Sequence, residues 1–382
     1  MNTVYITDVA SFLPNEPVGN DRIETILGKI ENQSPRVKLF VLQNNGIKHR
    51  HYAIDPETGK RTHTNAELTA EAVRKLTAQL EMPLDAVEGL ACGSASPDQL
   101  LPSHSNMVAG ELGMAPAEIM STAGVCASGM TSMKYAWMCM ALGLKKNFVA
   151  TGSERASAFM ARKAYTAMTS EIEPGKDLAP MVSFEKEFLR WMLSDGAGAV
   201  MMEAEPRPGQ LNLRIDAIDV RCWSGETPTC MYNGLNKDKD GGWKYWTDEE
   251  DIFDVVRKGY LLLQQDVRAL EEHMVRVGVA GLCVARDEHG VDFEKVDWFL
   301  PHLSSMYFKG RLDGGMKEAG INVGDDKWFT NLAECGNTGS ASIYIILDEL
   351  LHSGKLKKGQ KIFCAVPESG RFTVAGMALT VV

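Results

Sequence analysis

Residues 121–156 read STAGVCASGMTSMKYAWMCMALGLKKNFVATGSERA. Small residues open this stretch and surround Cys126, and a long run without proline follows. Met130, Met133, Tyr135, Trp137, Met138, Met140 and Leu142 make that run apolar on nearly every face. A helix that is apolar all round is a buried one. Gly143 supplies a C-terminal stop, and Asn147 to Thr151 has the pattern of a buried strand. Cys126 is therefore expected where a helix begins, among free backbone N–H groups and the positive end of the helix dipole. Such a setting lowers a thiol pKa and raises its thiolate fraction, as an acyl-accepting nucleophile requires. The alternative is a packed core cysteine, since free cysteine is among the most buried residue types.

Around this centre the chain alternates strands and helices. Residues 2–9 form a first strand and Asn20 to Lys29 an amphipathic helix. Phe40 to Tyr52 (FVLQNNGIKHRHY) holds an Asn-Asn-Gly turn followed by basic residues, a solvated hairpin on its charge pattern. Asn65 to Leu80 is helical, Glu88 to Cys92 a buried strand, and SASPDQLLPSHS a loop feeding a helix from Asn106 to Leu112. The segment from Ser183 to Trp191 precedes SDGAGAVMMEAE, a small-residue turn leading into a strand. Its glycines suit close backbone packing as well as ligand binding. It is not a dinucleotide fingerprint, because no strand leads into it and no helix follows.

Leu211 to Arg221 alternates as a strand. Asn233 to Asp251 is polar and dense in charge, and reads as a surface insertion that could shape a substrate entrance. A long helix is expected from Asp254 to about Val277. The earlier order then repeats: strand Val296–Leu300 ending in Pro301-His302, helix Ser304–Ala319, an extended Trp328–Leu332, and ECGNTGSAS leading into helix Ser342–His352. Lys361–Val366 and Val374–Val382 are closing strands. A duplicated α/β core accounts for this repetition, with one half over residues 1–205 and the other over 206–382.

The chain has 382 residues, beyond the roughly 250–300 at which a single core stops growing. Its composition is that of a soluble globular protein, and no apolar run approaches the ~20 residues that span a bilayer. No basic segment precedes an apolar one near the N-terminus, so the expectation is a cytoplasmic protein without a signal peptide. Eight scattered cysteines without a CxxC pair argue against a metal site and a disulfide framework. A net charge of −10 argues against a general nucleic-acid binder.

Cys126, His302 and Asn337 all fall on loops leading out of buried strands, and strand ends in a doubly wound core converge in space. Together with NNGIKHRHYA, LPSHSNMVAGELG, SDGAGAV, FLPHLSS and GNTGSASIYIILDELLHSGKLKKGQ, in this order, they resemble the thiolase superfamily, close to β-ketoacyl-acyl-carrier-protein synthase III. The resemblance runs nearly end to end. It implies a five-layered αβαβα fold of two pseudo-symmetric halves and an acyltransferase that forms C–C bonds. It also implies roles. Cys126 would take an acyl group from a thioester, and His302 and Asn337 would donate hydrogen bonds to the second substrate's carbonyl. The N–H groups of Cys126 and Gly370 would form the oxyanion hole. Apart from the resemblance, His302 also fits a satisfied core histidine and Asn337 a turn residue beside Gly336.

The departures bear on the reaction. Leu303, Ser304 and Ser305 follow His302 where the family usually has Gln-Ala-Asn, and Glu368, Ser369, Gly370 and Arg371 replace a glycine-rich turn. The central strand ends in Gly-Ser-Glu, placing Glu154 where a desolvated carboxylate would suit proton transfer. An ion pair with Arg155, Arg162 or Lys163, or a structural hydrogen bond, is the alternative for Glu154. These departures and the 233–251 insertion resemble the ketosynthase–cyclases of dialkylresorcinol and bacterial stilbene synthesis. That group joins a β-ketoacyl thioester to an α,β-unsaturated acyl thioester, giving a cyclohexane-1,3-dione. Its rivals are a chain-initiating synthase using acyl-CoA and malonyl-carrier protein, a 3-hydroxy-3-methylglutaryl-CoA-synthase-like condensation, and a non-catalytic partner subunit, against which Cys126 counts.

The resemblance implies acyl-CoA and acyl carrier protein as partners, no metal or redox cofactor, and a homodimer, which the apolar 130–142 helix would suit. An acidic carrier protein calls for a basic dock. Lys309, Arg311 and Lys317 follow the His302 loop, with 309 and 317 on one face. Arg36 with Lys38, and Arg257 with Lys258, are further candidates, each equally an ordinary solvated charge.

Overall fold

The computed structural model describes residues 2–30, 33, 35–169, 180–238, 240 and 242–382. Nine strands form its main sheet: β1 (Tyr5–Phe12), β2 (Gly89–Ser94), β3 (Glu118–Ala123), β4 (Asn147–Glu154), β5 (Gly196–Glu203), β6 (Leu213–Cys222), β7 (Trp298–Pro301), β8 (Lys361–Pro367) and β9 (Thr373–Val381). Their spatial order is β7-β8-β9-β6-β1-β5-β4-β2-β3.

That order contains the duplication. In the first half β3, β2 and β4 run parallel, and β5 and then β1 pair antiparallel beyond them. In the second half Trp328 bridges parallel to Phe299 of β7, β7 runs parallel to β8, and β9 and then β6 pair antiparallel. The two series match in order and direction, with the single Trp328 bridge standing where the first half has β3. They meet only where Tyr5 and Ile6 of β1 pair with Arg214 and Leu213 of β6.

Helices supply the other layers. α1 is Pro35–Asn44, α2 Asn65–Gln79, α3 His104–Leu112, α4 Ser128–Ala141, α5 Val267–His289, α6 Lys309–Glu318 and α7 Ser342–His352. α2 and α3 cover the outer face of the first half, and α5, with α6 against it, covers that of the second. α4 packs on β2 and β4 and also on β6 and β9; α7 packs on β1, β5 and β7. These two are the middle layer of a five-layered thiolase fold, and their residues pack with those of the strands in one buried cluster.

Close approach explains the small residues of SDGAGAV. A β-carbon at Gly198 would stand 2.2 Å from Cβ of Tyr344 on α7, and one at Gly152 would stand 2.2 Å from the Ser340 carbonyl oxygen. Backbone packing is therefore what these glycines serve.

Four expectations are corrected. Between Asn20 and Lys29 only Ile23–Leu27 is helical, since Gly28 turns at φ +78°. The 40–52 segment is not a solvated hairpin. α1 occupies its first part, started by Pro35, whose fixed φ suits a first helical position. Arg50, fully buried, donates to Asn20 Oδ1 at 2.6 Å and to the Trp191 carbonyl at 2.6 Å. The helix expected at 254–277 is broken: Ile252–Arg257 stops before Gly259 (φ +71°), Gln264–Gln265 pair with Met231–Tyr232, and Asp266 caps α5 by accepting from Arg268 and Ala269. α4 is not buried all round, because Met138 and Leu142 face outward. The 233–251 insertion forms a hairpin of Leu235–Lys237 and Trp243–Tyr245; its Lys239 and Gly241 lie outside the described residues.

Candidate active site

Cys126 lies in the turn between β3 and α4, buried, two residues before the helix begins. The Ser128 N–H donates to the Val125 carbonyl at 3.1 Å. On either side of the cysteine, the amides of Val125 and Ala127 donate to one oxygen, Oε2 of Glu368, at 3.0 and 3.1 Å. The expected lowering of the thiol pKa is reversed. Burial pushes the thiol well above its usual value, and the charges of Glu368 and Glu154 add to the effect. Desolvation and two carboxylates outweigh the dipole of the helix end.

Glu154 ends β4 and is also buried. Its Oε2 accepts from the Ser96 hydroxyl at 2.5 Å, and its Oε1 from the amides of Ala95 at 3.0 Å and Ser340 at 3.4 Å. Arg155 pairs instead with Asp98 at 2.9 Å. Burial raises the Glu154 carboxyl to about 7, against the lowering effect of those donors. Ser96 is itself held from below: Asn65 Nδ2 donates to the Ser96 carbonyl at 3.0 Å and to Ser94 Oγ at 2.8 Å.

Asn337 is fixed by its backbone, which donates to the Met192 carbonyl at 3.1 Å and accepts from the Ser194 amide at 2.8 Å. Its Oδ1 accepts from the Gly339 N–H at 3.0 Å, the contact of a turn residue. Its Nδ2 has no hydrogen bond among the described residues, leaving two donors for a ligand.

Cys126, Glu154 and Asn337 line one pocket of about 50 Å³, together with Ser96, Gln265, Ser304 and Ser369 and a wall of Phe159, Leu189, Met231 and Leu263. His302 is not on that lining. It faces an adjoining void with Met274, Phe308, Leu312 and Pro367, and Ser304 borders both spaces. The His302 amide donates to the Ala365 carbonyl at 2.8 Å, while its Nε2 is buried without a partner. Desolvation lowers its pKa to about 4, so the imidazole is neutral at ordinary pH. A core histidine satisfied by its surroundings would not leave that nitrogen orphaned. Gly370 packs onto the Cys126 loop, where a β-carbon would meet Val125 Cγ2 at 2.9 Å.

A cleft of about 650 Å³ opens beside the pocket, and Phe188, Met192 and Leu270 border both. Phe40, Val41 and Phe184 give it apolar walls; Arg268, Glu271 and Glu272 stand on it. Most basic residues proposed for docking are already paired. Lys309 bonds Asp325, Arg311 bonds Glu271, and Lys317 bonds Asp313 at 2.7 Å. Lys258 bonds Glu249 at 2.7 Å, Arg257 is 3.6 Å from Asp254, and Lys38 pairs with Glu24. Arg36 and Arg268 are exposed and close no ion pair among the described residues. Sequence reasoning passed over Arg268, Ser96 and the contacts of Glu368. Only the departure from the family turn marked the last of these.

Among the described residues no three His, Cys, Asp or Glu side chains are grouped to hold a metal ion, and no helix is long and apolar enough to cross a membrane.

Residues 52–185 match the family profile described as the thiolase N-terminal domain, and residues 287–381 that of the 3-oxoacyl-[acyl-carrier-protein] synthase III C-terminal part. The chain is 25% identical over 366 residues to the β-ketoacyl-[acyl-carrier-protein] synthase III of Neisseria gonorrhoeae, covering 95% of this chain and 94% of that protein. It is 23% identical over 359 residues to synthase III 2 of Halalkalibacterium halodurans, covering 94% and 90%. Among solved structures, a variant of OleA from Xanthomonas campestris with bound lauric acid and lauroyl-CoA superposes with a TM-score of 0.77 at 19% identity, over 100% of this chain and 99% of that one. AbyA1, a tetronic acid condensing enzyme, gives 0.75 at 19% identity over 99% of each. The profiles and the full-length relatives support a place in the thiolase superfamily, beside β-ketoacyl-acyl-carrier-protein synthase III. At that level they support an acyl-condensing transferase of the ketosynthase type.

Proposed function

We propose that the protein is a ketosynthase–cyclase that joins an α,β-unsaturated acyl thioester to a β-ketoacyl thioester. The observation that carries this reading is Glu154, a buried carboxyl held near pH 7 on the same pocket as Cys126 and Asn337. A decarboxylating synthase generates its carbanion by losing CO2. Condensation without decarboxylation needs a base, and a carboxylate poised near the working pH suits that task.

In this reading the Cys126 thiol takes the enoyl group and releases CoA thiol. Glu154 removes a proton from the α-carbon of the β-ketoacyl partner, that carbon adds to the enoyl β-carbon, and the thioester enolate so formed takes the proton back from Glu154. Glu154 then takes a proton from the partner's γ-carbon, which attacks the Cys126 thioester carbonyl and expels the thiolate; the thiolate takes that proton, and a cyclohexane-1,3-dione is closed. Asn337 Nδ2 and His302 donate to the enolate oxygen, and the amides of Cys126 and Gly370 to the thioester oxygen. Acyl-CoA and an acyl carrier protein are the expected donors. A homodimer is the expected assembly.

The full-length relatives, named as synthases III, favour a second reading, condensation of acyl-CoA with malonyl-carrier protein. Mass spectrometry after incubation with an enoyl-CoA, beside Cys126→Ala, separates the two. The cyclase forms a Cys126 adduct that a β-ketoacyl-carrier protein discharges as a cyclic dione without CO2. An adduct discharged only by malonyl-carrier protein, with CO2, sinks the cyclase.

A further inference from the structure

Glu368 is the one carboxylate beside Cys126 for which the chemistry above has no use. It stands in the loop between β8 and β9, 8% exposed, with its own N–H donating to the Thr373 carbonyl at 2.8 Å. Through Oε2 it receives the amides of Val125 and Ala127. The loop that closes the second half of the molecule is thus fastened to the nucleophile turn of the first. Fit around the carboxylate is close: a β-carbon at Gly124 would lie 3.5 Å from Oε2, and one at Gly370 would lie 3.2 Å from Oε1. The Cys126 amide, between the two that are gripped, donates to no other residue among those described.

We propose that Glu368 is a positioning residue for the nucleophile: one carboxylate oxygen holds the amides on both sides of Cys126 and leaves the amide between them aimed at the incoming acyl carbonyl. This rests on the reading of Cys126 as the acyl acceptor. Two bonds to one charged acceptor resist rotation of the turn, and charge-assisted hydrogen bonds are the stronger kind. The same charge has a second effect, because it opposes ionisation of the thiol. The charged groups around the thiol are Glu368 and Glu154. Around Glu368 stand the two amides, the Thr373 hydroxyl, and the thiols of Cys126 and of Cys222 at the end of β6. Arg371 donates to the Thr227 carbonyl at 3.3 Å. Glu368 thus trades thiolate fraction for a fixed geometry. The trade suits a thiol that loses its proton only as the thioester is attacked.

The test compares Glu368→Gln and Glu368→Ala with the wild type. Iodoacetamide labelling is followed across pH at the Cys126 peptide by mass spectrometry, together with the rate of acylation by an acyl-CoA. Glutamine keeps an acceptor for the amides and removes the charge. E368Q should label with its midpoint lowered by about one pH unit, and so about tenfold faster at pH 8. E368A should lower the midpoint too, yet acylate at least about tenfold more slowly than E368Q, because its amides have lost their acceptor. An unmoved midpoint in E368Q overturns the proposal, as does E368A acylating as fast as E368Q. The labelling midpoint needs no substrate. A wild type that no acyl-CoA acylates would therefore defeat the proposed function and the positioning role with it, whereas E368A acylating as fast as E368Q defeats the positioning role alone.

Discussion

Glu154 lies so close to Gly339 that a β-carbon at position 339 would stand 2.7 Å from its Cγ. Gly339 also sits at φ +55°, a region that costs an L-residue roughly 1–2 kcal/mol. Gly339→Ala should therefore displace either the carboxylate or the turn that carries Asn337. A misplacement of about 1 Å can cost a hundred-fold in rate. Condensation should fall by about that factor, while acylation of Cys126 by acyl-CoA stays within about twofold. Parallel loss of both steps would mean that the loop, and not Glu154, is what the glycine protects.

The buried carboxyl of Glu154 makes both activity and stability depend on pH. In the proposed role of base it must be ionised, so condensation should rise with pH and level off above about 7. Stability runs the other way. The folded protein holds this proton more tightly than the unfolded chain does, so the stabilisation is complete below the unfolded carboxyl pKa and is lost as pH rises to about 7. Asp195, raised to about 6 by burial, acts in the same direction. In Glu154→Gln the unfolding free energy should fall less between pH 4.5 and 8, by up to about 3 kcal/mol, and condensation should lose its rise near 7. Urea titrations at several pH values would decide; a variant with an unchanged slope would mean that Glu154 does not carry this proton.

Much of this arrangement can be read in the chain before it folds. Ser342–His352 emerges with the ends expected of it, because its apolar positions and the GNTGSAS turn before it are local signals. The repeated strand order follows from the repeated local pattern. What escaped is long-range. Arg50 looks like a solvated charge until Asn20 and the Trp191 carbonyl close on it. The break before α5 depends on Gln264 and Gln265 finding Met231 and Tyr232, a pairing that helical periodicity cannot reveal. The direction of the Cys126 shift was missed because its helix end is a local feature, whereas the burial that raises it most is made by the whole fold, and Glu368, which adds to it, lies 241 residues beyond Ala127.

His302 is expected to act as a neutral donor. Its pKa of about 4 and its orphaned Nε2 leave no ion pair for it to serve. His302→Ala should cost about a hundred- to a thousand-fold in condensation, the usual loss of one such donor, with Cys126 still acylated. Stopped-flow acylation and product formation, measured side by side, would show an adduct that accumulates. Turnover at the wild-type rate would return His302 to the core.

Carrier-protein docking should be carried by Arg268 and Arg36, not by the helix after His302. Lys309, Arg311 and Lys317 each have a carboxylate partner, which an incoming acidic group would have to displace. Arg268 stands on the cleft, and Arg36 lies on α1, whose Phe40, Val41 and Asn44 line it; neither closes an ion pair among the described residues. Neither has to break an ion pair to meet an acidic partner, and of the two Arg268 is the one whose charge already acts on a carboxylate, Glu185. Arg268→Glu should raise KM for a carrier-bound substrate about tenfold with kcat unchanged, a loss of about 1.4 kcal/mol. The same variant should treat a short pantetheine thioester as the wild type does, because that substrate brings no acidic surface. Raising ionic strength should shrink the difference, since exposed charges are screened over about 10 Å at 0.1 M salt. Lys317→Glu should leave KM within about twofold. If it raises KM as much as Arg268→Glu, the ion pair with Asp313 opens on docking, and the basic face of α6 is the dock after all.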